Sequence, residues 1–178
     1  VRVYSSQAVQ RNKMLIEQFT GQGCGYCPGG AEVLKMSIEG MENPENVIWV
    51  AHHAGYAKDD FTLTESSSIA TSLRVTGAPN CAVDRMPVDY AVGESGMVWH
   101  PAYSTTELLE DLAKIPGLAT MELNVNYTEE TRQLIVGVKG KLIVTGANIT
   151  VLVKQNGIIA RQANGGNNYE HNNAPRLF

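Results

Sequence analysis

Two cysteines with two residues between them, Cys24-Gly25-Tyr26-Cys27, sit where one hydrophobic pattern hands over to another. Ahead of them "MLIEQF" (14–19) reads as a strand entering a Gly-rich loop. Behind them Ala31, Leu34, Ile38 and Met41 recur at three- and four-residue steps, which predicts an amphipathic helix over 26–41. Pro28 suits its first turn, where a missing N–H costs nothing, and Gly40 with Asn43-Pro44 ends it. A bare C-x-x-C is compatible with a redox couple, half a metal site or a local disulfide. Its place at the mouth of a helix favours the first, because unpaired N–H groups and about half a positive charge gather there. Thiols in such settings fall from ~8.5 into the range ~3.5–7.5. Cys24 is therefore expected to be the accessible attacking thiolate. Cys27, one turn further in, is expected to be shielded and to resolve the mixed disulfide.

"VIWVA" (47–51) is a short continuous apolar run, the pattern of a strand in the middle of a parallel sheet. A second helix is expected over 65–73, started near Thr64. "VTGAP" (75–79) breaks the chain, "NCAVD" (80–84) is a further strand, and 85–103 shows no periodicity. "STTELLEDLAKIPG" (104–117) predicts a third helix, capped by Ser104 or Thr105, striped by Leu108, Leu109, Leu112 and Ile115, and stopped at Pro116-Gly117. After Gly117 the period becomes two, in "ATMELNVNY" and "RQLIVGV". Asn156-Gly157, between "NITVLVKQ" and "IIARQ", is the strongest hairpin signal, and "NGGNN" (164–168) reads as a loop. Mixed elements before residue 117 and strands alone after it imply two domains, an α/β domain over 1–117 and an all-β domain over 118–178.

A net charge of −4 leaves no basic surface for nucleic acid or anionic lipid. No stretch reaches the ~20 apolar residues of a membrane span. The start, "VRVYSSQAVQRNK", lacks a signal-type apolar core and an initiator Met, so the protein is either cytosolic or preceded by an export segment, the second being expected. Cys81, the third cysteine, reads as a buried inert thiol, the sharper alternative being a third redox group facing the pair. His52 and His53 follow the 47–51 strand, at the sheet's carboxyl end. They read as ordinary loop histidines, or as partners of the cysteines in a zinc or copper site. His171 reads as a hydrogen-bonding residue of the tail. Gly29 and Gly30 point to a close backbone approach or a fraying first turn, and Asp84-Arg85 to an ion pair closing the strand.

The strand, the C-x-x-C helix and a proline just before a strand in "VTGAPNCAVD" together resemble the thioredoxin fold over residues 14–115. The resemblance implies that Cys24 and Cys27 are the redox pair, that Pro79 is the cis-proline, and that Ala78 offers its backbone to a substrate strand. The Gly25-Tyr26 spacer resembles periplasmic disulfide isomerases. Where that family keeps a buried acid this chain has Gln18, Glu17 being expected on the opposite strand face, and Gly23 replaces the usual tryptophan. "LIEQFTGQGCGYCP", "VTGAP…VDR" and "QANGGNNYEHNNAPR" further resemble the Omp-twenty-eight-related group of bacterial outer-membrane lipoproteins. That group has a thioredoxin-like head and an immunoglobulin-like β tail, which is expected to be incomplete here. Export to the cell envelope is implied, with membrane attachment only through an upstream anchor.

The functional expectation is an extracytoplasmic thiol–disulfide oxidoreductase acting on protein thiols and disulfides. Cys24 and Cys27 are its catalytic pair, with Tyr26, Ala78 and Pro79 lining the substrate site. No organic cofactor or metal is required beyond the redox disulfide, and no nucleic-acid partner is implied. The rivals are a non-catalytic surface binding or adhesion lipoprotein, and a metal carrier using the two cysteines and a histidine.

Overall fold

The computed structural model describes residues 9–88, 96–143 and 146–178. Two compact units divide the chain, one comprising 12–113 with 150–178, the other 1–11 with 114–149. This differs from the expected boundary at 117/118, because the last 29 residues pack with the α/β core.

In the larger unit, strand β1 (Met14–Thr20) leads into helix α1 (Cys27–Glu39), followed by β2 (Val47–His53), α2 (Thr64–Ser72), β3 (Asn80–Val83) and α3 (Thr106–Ala113). The sheet order is β2-β1-β3, with β1 parallel to β2 and antiparallel to β3. Strand β1 is therefore the central one, and Ile16 through Phe19 are buried on both faces. The expectation that 47–51 lies mid-sheet is corrected. Among the described residues β2 has a strand neighbour in its sheet on one side only, and it leaves Ile48 exposed and buries just Val50–His53.

Helix α1 buries Cys27, Gly30, Leu34 and Ile38, one stripe at helical spacing. Its Gly30 is explained by contact, since a Cβ there would lie 2.7 Å from Pro79, whereas Gly29 has nothing within 4 Å. Thr105 Oγ1 accepts the Leu108 N–H, as expected of a cap, and Leu109 and Leu112 anchor α3. The helix ends at Ala113, short of the predicted 117, because the residue before a proline is pushed out of helical geometry. Phe19, Ala54, Ala70, Leu73, Ala82 and Val98 form the core under α2. Of the aperiodic 85–103 stretch, 89–95 lies outside the described residues, while Trp99 is fully buried and bridges the Cys81 backbone.

The tail corrects the sequence reading most. Strands β6 (Val153–Gln155), β7 (Ile158–Gln162), β8 (Gly166–His171) and β9 (Ala174–Leu177) pair as β6-β9 and β7-β8, so Asn156-Gly157 does not close a β6-β7 hairpin. Asn156 Oδ1 instead accepts from Asn173 N at 2.7 Å, and Asn172 Oδ1 from Gly157 N at 2.8 Å. The two chain reversals thus tie each other. "NGGNN" is partly strand, because the turn spans only 163–165 and β8 opens at Gly166. The tail closes on β2 through Ala51 N–H to Asn173 O at 2.9 Å and Lys154 Nζ to Trp49 O at 2.8 Å. Among the described residues, 118–178 forms two-stranded pairings, not an immunoglobulin-like sandwich.

The smaller unit is the hairpin β4 (Ala119–Thr128) and β5 (Gln133–Leu142), in register from Ala119↔Leu142 to Thr128↔Gln133. Alternation puts Met121, Leu123, Val125 and Tyr127 on one face, opposite Gly140, Val138, Val136 and Leu134. All four β4 side chains are exposed.

Candidate functional site

Cys24 and Cys27 form a disulfide where β1 gives way to α1. The loop turns tightly, with Cys24 N–H donating to Gly21 O at 3.0 Å and Cys27 N–H to Cys24 O at 3.3 Å. Tyr26, at the helix cap, is 82% exposed. Pro79 is buried, follows a cis bond from Ala78, and rests on Gly30 one turn into α1. Pro79 thus packs on the helix that Cys27 opens, at Gly30.

The structure does not expose Cys24. Both cysteines are 2% exposed, which corrects the expectation of an open attacking sulfur and a shielded resolving one. The covering segment is the end of β7 with the turn into β8, residues 161–164. Gln162 Nε2 donates to Cys24 O at 2.9 Å and Gly21 O at 3.1 Å, Ala163 N–H to Gln22 O at 2.8 Å, and Asn164 Nδ2 to Gly25 O at 3.0 Å. Gln22 Nε2 answers with a bond to Arg161 O at 3.2 Å. A Cβ at Gly25 would lie 2.9 Å from Asn164 Nδ2, so a side chain there would displace the Asn164 amide from its bond to the Gly25 carbonyl. No periodicity marks 161–164, so sequence patterns did not reveal it. The polar "QANGGNN" was its one signal.

Behind the pair lies a cavity of about 410 Å³ between α1, the sheet and β8, lined in part by Gln18, Cys27, Trp49, His53, Tyr169 and His171. Gln18 Oε1 accepts from Trp49 Nε1 at 3.1 Å. His53 Nδ1 meets Asp59 Oδ2 at 2.8 Å, and its ring lies 5.4 Å from that of His171. Burial would raise the Asp59 carboxyl, but hydrogen bonds from His53 and the Gln22 backbone hold it below its ordinary value. His171 is held below the usual imidazole value, first by burial and then by the neighbouring His53, against opposing contributions from the Arg161 carbonyl and Asp59.

The opposite face of β1 carries a separate cluster. Glu17, 2% exposed, accepts two bonds from Arg85, from Nε at 2.7 Å and Nη2 at 2.8 Å. His52 Nε2 donates to it at 3.3 Å, and His52 Nδ1 shares a 2.9 Å bond with the Ser66 hydroxyl. Burial raises the Glu17 carboxyl, yet Arg85 and His52 outweigh it and bring it down to about 2. Glu17 therefore does point away from Gln18. The expected Asp84-Arg85 pairing is corrected, since Arg85 reaches across to β1 while Asp84 Oδ1 accepts the Leu15 N–H. His52, stacked between Phe19 and Phe178, belongs to this cluster and not to the cavity.

Cys81 is fully buried, with Sγ 3.3 Å from Ser104 Oγ, and burial pushes its thiol up to about 12. Among the described residues no group of three or more His, Cys, Asp or Glu side chains is placed to hold a metal ion, and no helix is long and apolar enough to cross a membrane.

No protein-family model matches the chain, and no curated protein matches it. Among solved structures it is similar to HBP35 of Porphyromonas gingivalis, at 20% identity and a TM-score of 0.70. The match covers 94% of this chain and 56% of that one, so the chain spans little more than half of its neighbour's length. A likeness at that identity speaks for the fold, which is thioredoxin-like and carries a disulfide at the start of its first helix.

Proposed function

We propose that the chain is a thiol–disulfide exchange protein of the bacterial cell envelope. The observation that carries this reading is the Cys24–Cys27 disulfide at the strand–helix junction, on the helix whose Gly30 packs against Pro79. In the reduced form the thiolate of Cys24, favoured by the N-terminal end of α1, attacks a substrate disulfide. A mixed disulfide forms and one substrate sulfur leaves as thiolate. The Cys27 thiolate then attacks Cys24, restores the internal disulfide and releases the second substrate sulfur. Ala78 and Pro79 align the partner chain and Tyr26 forms an exposed wall. Because Cys24 is sealed, exchange requires the 161–164 strap to lift, which makes Gln162 the latch. Envelope location is proposed from the outer-membrane lipoprotein resemblance, in a compartment where a disulfide can form.

The test is to reduce a Cys27→Ser variant and challenge it with a disulfide-bonded peptide. A mixed disulfide through Cys24, trapped and found by mass spectrometry, is the expected product. No adduct in the variant, with thiols that stay unreactive until denaturant is added, would overturn the reading. The sealed sulfur and the exposed apolar face of the β4-β5 hairpin favour a second reading, a binding module stapled by an inert disulfide. That module would come through the same experiment without an adduct.

A further inference from the structure

We propose that the cavity between α1, the sheet and β8 binds a carboxamide group, held between a hydrogen-bond donor on Gln18 and an acceptor on His53. No sulfur takes part, so the inference goes beyond the exchange reading and does not depend on it. Both side chains rise from one face of the sheet. In the β1-β2 register Gln18 stands opposite Ala51, and Thr20 opposite His53. Residues two apart on a strand share a face, so these four form one patch of floor, and all four line the cavity. Two residues along and one strand across places the Cα atoms of Gln18 and His53 about 8 Å apart.

A neighbour fixes the polarity of each group. The indole N–H of Trp49 only donates, so at 3.1 Å it holds the Gln18 oxygen and leaves the amide NH2 as the group on offer. The Asp59 carboxylate only accepts, so the 2.8 Å bond puts a proton on His53 Nδ1, and the neutral ring keeps its lone pair on Nε2. Gln18 is 2% exposed and His53 3%. Among the described residues neither Gln18 Nε2 nor His53 Nε2 has a hydrogen-bond partner, and neither is sealed from solvent as His171 Nε2 is. A nearly buried donor and acceptor that the protein itself leaves unmatched are what orients a ligand in a pocket. At about 410 Å³ the cavity also has the size of one.

A carboxamide carries both complements in one plane, a carbonyl to accept from Gln18 and an N–H to donate to His53. A carboxylate of the same shape has no N–H for His53. Its charge would also meet a rim where the exposed Glu32 and Glu170 outnumber Lys35. A peptide backbone and an Asn or Gln side chain both supply the amide.

The test titrates the 15N-labelled chain, disulfide intact, with propionamide as the side-chain type of amide, N-methylacetamide as the backbone type, and propionate. Saturable shifts of the Gln18 side-chain NH2 and the His53 ring nitrogens are expected with at least one amide, and the tighter of the two identifies the source. Propionate should bind at least about 10-fold more weakly. Gln18→Met, which keeps the side chain's length and removes the donor, should weaken amide binding about 5- to 10-fold. Should that variant fail to fold, the shifts in the unaltered chain decide. Shifts that stay linear with both amides, saturable binding that leaves Gln18 and His53 unmoved, or propionate bound as tightly as the amides would overturn the assignment.

Discussion

Replacing Glu17 by Gln keeps the shape of the side chain and removes its charge from a site that is 2% exposed. The carboxyl stands at about 2 against an ordinary 4.5 because Arg85 and His52 outweigh the cost of burial. At about 1.4 kcal/mol per tenfold change in proton affinity, the difference amounts to about 3 kcal/mol favouring the folded state. Arg85 is 45% exposed, so water screens part of this, and about 2 kcal/mol is the expected loss at pH 7. The sign follows from the depressed folded-state value. The stabilisation is complete above pH 4.5 and fades as pH falls toward 2. Urea unfolding of wild type and Glu17→Gln at pH 7, 5, 4 and 3 should therefore give curves that converge with acid. A constant gap across that series, or no gap at pH 7, would show that the cluster does not hold the charge as argued.

Gly30→Ala should cost about 1–3 kcal/mol in thermal or urea unfolding, since its Cβ would lie 2.7 Å from a proline ring that cannot swing aside. A neutral result would mean that α1 shifts freely against Pro79. Gln162→Ala removes the two bonds that latch the strap to the Gly21 and Cys24 carbonyls. At about 1 kcal/mol each, their loss should speed reduction of the disulfide by dithiothreitol about 10- to 30-fold. An unchanged rate would refute the latch. Cys81, with its thiol up at about 12, should resist a thiol-specific reagent at pH 8 until denaturant unfolds the chain. Labelling faster than global unfolding would contradict its burial.

Much of the head was legible because its signals are local. The 3.6-residue stripe behind Cys27 marked α1, and Thr105 before an apolar run marked the start of α3. The tail was misread for the same reason. Asn156-Gly157 has the composition of a hairpin turn, but each flanking strand found a better partner elsewhere, and composition does not rank distant partners. The continuous apolar run at 47–51 promised a central strand, yet centrality depends on how many strands arrive on either side.

By itself the sequence determined that a cysteine pair stands between a strand and a helix, because strand period, helix period and a first-turn proline act within a few residues of one another. Only the tertiary structure decided what surrounds that pair. Gln162 bonds to the Cys24 carbonyl across 138 residues, and Arg85 grips Glu17 across 68. Contacts of that span arise from how the elements pack, so no local pattern could announce that the sulfurs are covered or that a histidine of the tail lines the cavity behind them.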